Sequence, residues 1–114
     1  MALTKHNRYG KWEIVLVDLN HVRGSEISKV RPCLVVSPEP MNDFLHTVII
    51  VPFTSNQKGY PFRLRSTHKG ILGELCFDNI KSIDKSRIRK RDGKLSDAYR
   101  PDVNELLAEI FGEP

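Results

Sequence analysis

Three apolar runs, each eight residues long and dense in β-branched side chains, decide what this chain can fold into. They are Trp12 to Leu19 (WEIVLVDL), Val30 to Ser37 (VRPCLVVS) and His46 to Phe53 (HTVIIVPF). Branching at Cβ favours extended backbone. Their apolar residues do not simply alternate with polar ones, so both faces are expected to be buried, as in the central strands of a sheet. Asn20 follows the first run, Pro38 and Pro40 stop the second, and Pro52 closes the third. Pro32 has no N–H to give to a ladder, which predicts an edge or a bulge at that end of the second strand. Asn20 to Val30, with Gly24 and Ser25, reads as a loop, and Pro40 to Leu45 as a short helical turn.

The second half holds weaker strands and one helix. Thr54 to Tyr60 is a polar loop. Pro61 to Arg65 alternates, with Phe62 and Leu64 on one face and Arg63 and Arg65 on the other, which predicts a half-exposed strand. Gly70 to Asp78 and Ile80 to Ile83 add strand material, broken at Gly73. Ser86 to Leu95 reads as a hairpin-like stretch around Asp92-Gly93. Val103, Leu106, Leu107, Ile110 and Phe111 recur at helical spacing after Pro101 and before Gly112, which predicts a C-terminal helix with one apolar stripe. The fold class is therefore α+β and mainly β: a compact, strongly twisted antiparallel sheet or small barrel with a C-terminal helix packed on it. With 114 residues, it is one domain spanning 1–114. A domain of this size keeps much surface wet, so oligomerisation is expected.

Charge and cysteine usage narrow the function classes. No apolar run approaches the roughly 20 residues that cross a bilayer. Met1 to Tyr9 is polar and lacks the apolar core of a signal peptide, so a cytoplasmic protein is expected. Cys33 and Cys76 sit singly in apolar runs, away from metal-ligand spacing, and read as small buried hydrophobes. The net charge is +4 and the pI about 9.2. Lys81, Lys85, Arg87, Arg89, Lys90, Arg91 and Lys94 crowd one segment, and Arg63, Arg65 and Lys69 another. Such groups suit a polyanionic partner. His6, His46 and His68 read as surface or strand-end residues.

Composition and periodicity define a basic, sheet-rich domain and no reaction. Some loop and strand-end residues nevertheless offer acid–base and charge-stabilising chemistry. Glu26 is a candidate base. Arg31 offers a fork matched to phosphate oxygens. Thr54 and Ser55 offer hydroxyls at a strand end. Taken singly, each has a plainer explanation: a loop carboxylate, a surface arginine, a strand terminus. Asp78 and Asn79 likewise read as turn residues.

The motifs in order say more. Gly24-Ser25-Glu26, Arg31-Pro32 and Ser37-Pro38 are followed by Val51-Pro52-Phe53-Thr54-Ser55 and Lys58-Gly59-Tyr60-Pro61-Phe62, then Asp78-Asn79 and Lys81-Ser82-Ile83-Asp84. Over about residues 12 to 88 this closely resembles the MazF/PemK toxins. The resemblance implies a small SH3-like, CcdB/MazF-type barrel of twisted antiparallel strands with a C-terminal helix, and the toxin of a type II toxin–antitoxin system. It implies a sequence-specific, metal-independent endoribonuclease with no cofactor. Attack by the 2′-hydroxyl on single-stranded mRNA would leave 2′,3′-cyclic phosphate and 5′-hydroxyl ends. It further implies a homodimer and a cognate MazE-like antitoxin, acidic and partly disordered, covering the RNA groove. Glu26, Arg31 and Thr54 become the catalytic set. His21, Ser25, Ser55, Lys58, Tyr60, Phe62, Arg63, Asp78 and Asn79 become RNA contacts, with Trp12 and Arg65 as further stacking or charged candidates.

The chain departs from the family pattern at Trp12-Glu13, at His21 and at Cys76, where some relatives carry an arginine. The last departure places the cationic role on Arg31. Two other readings remain from sequence. One is a non-catalytic toxin of the same fold that poisons gyrase, which has no need of Glu26, Arg31 and Thr54. The other is a general nucleic-acid-binding barrel using only Lys85 to Lys94.

Overall fold

In the computed structural model, which describes residues 8–20 and 23–114, the three apolar runs form β1 (Glu13–Asp18), β2 (Val30–Val35) and β3 (Thr47–Thr54). They pair antiparallel in sequence order, with Val15 opposite Cys33 and Leu34 opposite Val51. Successive side chains leave a strand on opposite faces, and here each face meets its own core. Val15, Val17, Cys33, Val35, Val48 and Ile50 join Tyr9, Leu19 and Ile83 in one. Ile14, Leu34, Val36, Val51 and Phe53 join Leu75, Phe77 and Val103 in the other. Two cores explain why the runs are apolar throughout. Each fully buried aliphatic side chain contributes roughly 1.5–3 kcal/mol.

The remaining elements are a short helix α1 (Glu39–Phe44), β4 (Arg63–His68), β5 (Ile71–Cys76), β6 (Lys81–Asp84), β7 (Ile88–Lys94) and helix α2 (Arg100–Phe111). The strand order is β4-β5-β3-β2-β1-β7, with β6 also on β3. The outer edge of β3 serves two partners. Thr47 to Ile50 pair with β6, and Phe53 and Thr54 pair with β5. Pro52 lies in the gap between them, where a residue without an N–H is tolerated. Pro32 lies just outside the β2–β3 register, which begins at Cys33. The expected edge character is thus met locally, inside a central strand.

Several expectations change. Gly73 does not break its strand, since β5 runs through it. Ser86 to Leu95 is not a hairpin. It contains a single strand along β1, and Asp92-Gly93 falls in a register shift between Glu13 and Val15. Turns and bulges draw on the same residue types, so the dipeptide did not distinguish them. Trp12 precedes β1 and packs against the second core. Leu106, Leu107 and Ile110 of α2 pack there too, but Phe111 is 66% exposed. Cys33 and Cys76 are buried and free, and burial pushes their thiols up to about 12 and about 11. Among the described residues, no helix is long and apolar enough to cross a membrane.

The sheet is not closed by a ladder of hydrogen bonds, so the expected barrel has a seam. Its two end strands are joined there by side chains. His68 Nε2 of β4 lies 2.7 Å from Asp92 Oδ2 of β7, and Lys69 Nζ bonds the other carboxylate oxygen. The Thr67 N–H donates to the Tyr99 hydroxyl at 3.2 Å. His68 is the strand-end residue expected, the last of β4, but it is held by partners rather than left in solvent. It is half-buried and sets its ring edge-on to Phe53, 6.1 Å between centroids. Burial pushes the Asp92 carboxyl up, but the bonds from His68 and Lys69 outweigh it and hold the carboxyl below its usual range.

Asp92→Asn should therefore destabilise the fold at neutral pH by about 1–3 kcal/mol. A carboxyl depressed in the folded state stabilises above its unfolded pKa, and that contribution disappears as pH falls through the folded value. The gap in melting temperature between parent and variant should close as pH is lowered from 7 toward 3, roughly, in a calorimetric series.

Candidate active site

The loops entering β2 and leaving β3 face each other across a cavity of about 270 Å³. Ser25, Glu26, Ile27, Ser28, Arg31, Thr54, Asn56, Lys58, Tyr60 and Arg63 line it. The candidate catalytic residues Glu26, Arg31 and Thr54, from separate motifs, are therefore neighbours. A wider hollow of about 930 Å³, lined by Arg8, Lys11, Glu13, Glu39, Arg91 and Lys94, contains none of the candidate site residues.

Arg31 stands at the start of β2, opposite Val17 of β1. Its Nε donates to the Ser28 carbonyl at 2.9 Å, which fixes the guanidinium plane. Its two terminal nitrogens make no hydrogen bond to the described residues and remain available to a phosphate. Thr54 ends β3 and is buried. Its Oγ1 accepts the Asn56 N–H at 3.1 Å, which leaves the hydroxyl proton free to donate. Glu26 is exposed on its loop and accepts the Arg23 N–H at 2.8 Å. Lys81 Nζ approaches its other oxygen at 3.5 Å. The Arg23 N–H, then the Lys81 charge, hold the Glu26 carboxyl below its usual range, so it is ionised at neutral pH.

One wall is held by a polar chain that links both loops. Arg63 places Nε on Asp78 Oδ1 and Nη2 on Asp78 Oδ2, both at 3.0 Å. Its Nη1 reaches Glu74 Oε1 at 3.5 Å. Asp78 accepts from Asn79 Nδ2 at 3.2 Å, and Asn79 Oδ1 accepts the Ile27 N–H at 3.2 Å. Tyr60 lies over the Arg63 guanidinium at 4.7 Å. The Arg63 side chain is only 7% exposed, whereas Phe62 is exposed and has a positive φ of 62°. The expected alternation holds within β4, with Leu64 packed on the second core, but Phe62 lies outside the strand, and Arg63 is covered by Asp78 and Glu74 rather than left in solvent.

The cavity thus unites Ser25, Glu26, Arg31, Thr54, Lys58, Tyr60 and Arg63. Ser55 and Phe62 are exposed nearby but do not line it. Asp78 and Asn79 support it through Arg63 and Ile27. His21 lies outside the described residues. Trp12 is elsewhere, with Arg100 at 5.2 Å over its ring. Arg65 is bonded to Gln57 at 3.0 Å. The basic tract is largely engaged within the protein. Arg87 donates to the Asp18 carbonyl, Arg89 to the Asp18 carboxylate, Arg91 to Glu13 and Lys85 to the Asn42 carbonyl.

Sequence reasoning missed Ile27, Ser28, Asn56 and Glu74. Only Glu74 left a signal: it is the single acid in the apolar strand ILGELC. Gly73 beside it is also required. A Cβ there would sit 2.2 Å from the Thr54 carbonyl oxygen and 2.5 Å from the Phe53 ring. The close approach of β5 that seats Thr54 needs a residue without a side chain.

Known proteins resemble this chain in sequence and in fold. Residues 10–111 match the family model described as PemK-like, MazF-like toxin of type II toxin-antitoxin system. The endoribonuclease toxin MazF of Escherichia coli (strain K12) is 34% identical over 71 residues. That alignment covers 62% of this chain and 64% of the relative. A crystal structure of MazF from Deinococcus radiodurans superposes with a TM-score of 0.81 at 28% identity, covering 93% of this chain and 98% of that one. A MazE–MazF crystal structure from the same organism gives 0.71 at 26% identity, over 92% and 97%.

Gly73→Ala should force β5 away from β3 and cost about 1–3 kcal/mol or more. Urea denaturation should show the loss, and the Thr54 amide resonance should move. An unshifted midpoint would remove the close-approach argument.

Proposed function

The chain belongs to the PemK-like, MazF-like toxins of type II toxin–antitoxin systems, and on that premise we propose that it is an endoribonuclease cleaving single-stranded mRNA in the cytoplasm without a metal. The convergence of Glu26, Arg31 and Thr54 in one cavity carries this reading. The 2′-oxygen bonds to phosphorus as the bond to the 5′ oxygen breaks. The ionised Glu26 carboxylate takes or orients the 2′-hydroxyl proton. A carboxyl with a depressed pKa is a weak base, so its gain comes from placement more than proton affinity. The free terminal nitrogens of Arg31 and the Thr54 hydroxyl meet the charge that develops on the phosphorane. Guanidinium releases its proton with difficulty, so Arg31 acts by charge, and the leaving oxygen is protonated by water in the open cavity.

Ser25, Ser55, Lys58, Tyr60 and Phe62 contact RNA in this reading, by hydrogen bonding, charge and stacking. Arg63, Asp78 and Asn79 act behind them, as supports of the wall. The open barrel reading that relies on Lys85 to Lys94 is disfavoured, because most of those cations have partners inside the protein. A homodimer is supported by an apolar groove formed by Val36, Ile49, Ile80, Leu107 and Phe111, which a second copy of the chain would cover. The antitoxin partner is an acidic, partly disordered chain of the MazE kind, which folds as it covers the site. The E. coli relative is named an endoribonuclease toxin and the D. radiodurans one was crystallised with MazE, which supports both proposals.

Purified protein free of antitoxin should cut a long single-stranded RNA in EDTA and leave 2′,3′-cyclic phosphate ends. Arg31→Ala should lower the rate by about 10²–10³, the loss typical of one preorganised charge-stabilising donor. No cleavage by a folded parent across several RNAs would overturn the assignment. A monomer by light scattering at micromolar concentration would count against the dimer.

A further inference from the structure

Glu74 is a buried carboxylate, 5% exposed, inside a strand that otherwise carries apolar residues and glycine. Such a group must be fully paired, because an uncompensated buried charge is costly. Its partners are specific. Oε1 accepts the Lys58 N–H at 3.0 Å and Oε2 the Gly59 N–H at 2.8 Å. The two successive N–H groups thus converge on one carboxylate. Arg63 completes the set with Nη1 at 3.5 Å. Two consecutive N–H groups and a guanidinium make the concavity that ordinarily binds an external anion. Here the protein fills it from within.

We infer that Glu74 is a positioning residue for RNA, an internal anion that holds Lys58 and Tyr60 in the wall of the cleavage cavity. The inference rests on the proposed ribonuclease reading. Glu74 does not itself line the cavity, and Arg31 is anchored independently by the Ser28 carbonyl. Its loss should therefore weaken RNA capture more than the chemical step. Burial pushes the Glu74 carboxyl up, but the two N–H groups and Arg63 outweigh it and keep it ionised, as an anion in this role must be.

Glu74→Gln keeps the volume and turns an amide N–H₂ toward a backbone donor, so the loop should open. On a fluorogenic RNA oligomer bearing a cut site mapped with the parent, KM should rise roughly tenfold while kcat stays within about twofold. Hydrogen exchange at the Lys58 and Gly59 amides should accelerate by at least about tenfold, with the β1–β2 core unchanged. Glu74→Asp, which keeps the charge but shortens the reach, should fall between. An unchanged KM, a fall in kcat alone, or amides that stay protected would overturn the inference. Unfolding of both variants would assign Glu74 to the fold and overturn it too. If the parent itself cuts no RNA, the ribonuclease reading falls, and the exchange result still decides whether Glu74 holds the loop.

Discussion

A guanidinium withdrawn from water must have its charge and its donors answered by the protein, and Arg63 meets that demand with groups from distant parts of the chain. Asp78 takes two of its nitrogens, Glu74 a third, and Tyr60 covers its face. The chain of bonds continues through Asn79 to the Ile27 N–H, one residue from Glu26. The loop that carries Glu26 and the loop that carries Tyr60 are thereby fixed to the same charge. Among the described residues, neither loop has a helix or strand of its own. Their relative placement, and so the cavity between them, depends on this polar chain.

The sheet supplies the rigidity behind it. β1, β2 and β3 bury side chains on both faces, so neither face can relax without opening a core. Arg31 and Thr54 are placed at the ends of two of these strands, where backbone position is set by packing. Gly73 allows β5 to come close enough to β3 for Thr54 and Glu74 to be Cα partners. The Thr54 hydroxyl and the loop-holding Glu74 carboxylate thus belong to residues of one rung. At the far end the Asp92 clasp joins β4 to β7, so the strand carrying Arg63 is anchored at both of its ends.

The apolar runs made the central strands and the C-terminal helix legible, because their burial pattern is local in sequence. The motif order made Glu26, Arg31 and Thr54 legible as a set. What stayed hidden depended on partners far apart along the chain. Asp92-Gly93 carries the signature of a turn, and only pairing with β1 makes it a bulge that turns Asp92 toward His68. His68 read as a surface or strand-end residue, and its place at the end of β4 fits, but its partner 24 positions away left no local sign. Arg63 looked like a free cation because nothing in Phe62 to Arg65 announces that Asp78 will take its fork. Gly73 looked like an interruption because its need arises from Phe53 and Thr54 on another strand.

The same bonds change what the net charge of +4 means. Most cations that suggest a polyanion surface in the sequence are committed internally: Arg63 to acids, Arg87 and Lys85 to carbonyls, Arg89 to Asp18. Around the cavity Lys81 is set against Glu26, which leaves Arg31 and Lys58 as the cations facing it without a carboxylate partner among the described residues. A site with so few free charges holds a nucleic acid weakly through phosphates alone. In the proposed function, selection of an RNA segment would draw on the exposed rings of Tyr60 and Phe62 and on the shape set by the two loops. Placement of the Tyr60 ring follows from Arg63 beneath it and from Glu74, which holds the neighbouring Gly59 N–H, so polar groups of the wall would set the terms on which that segment is read.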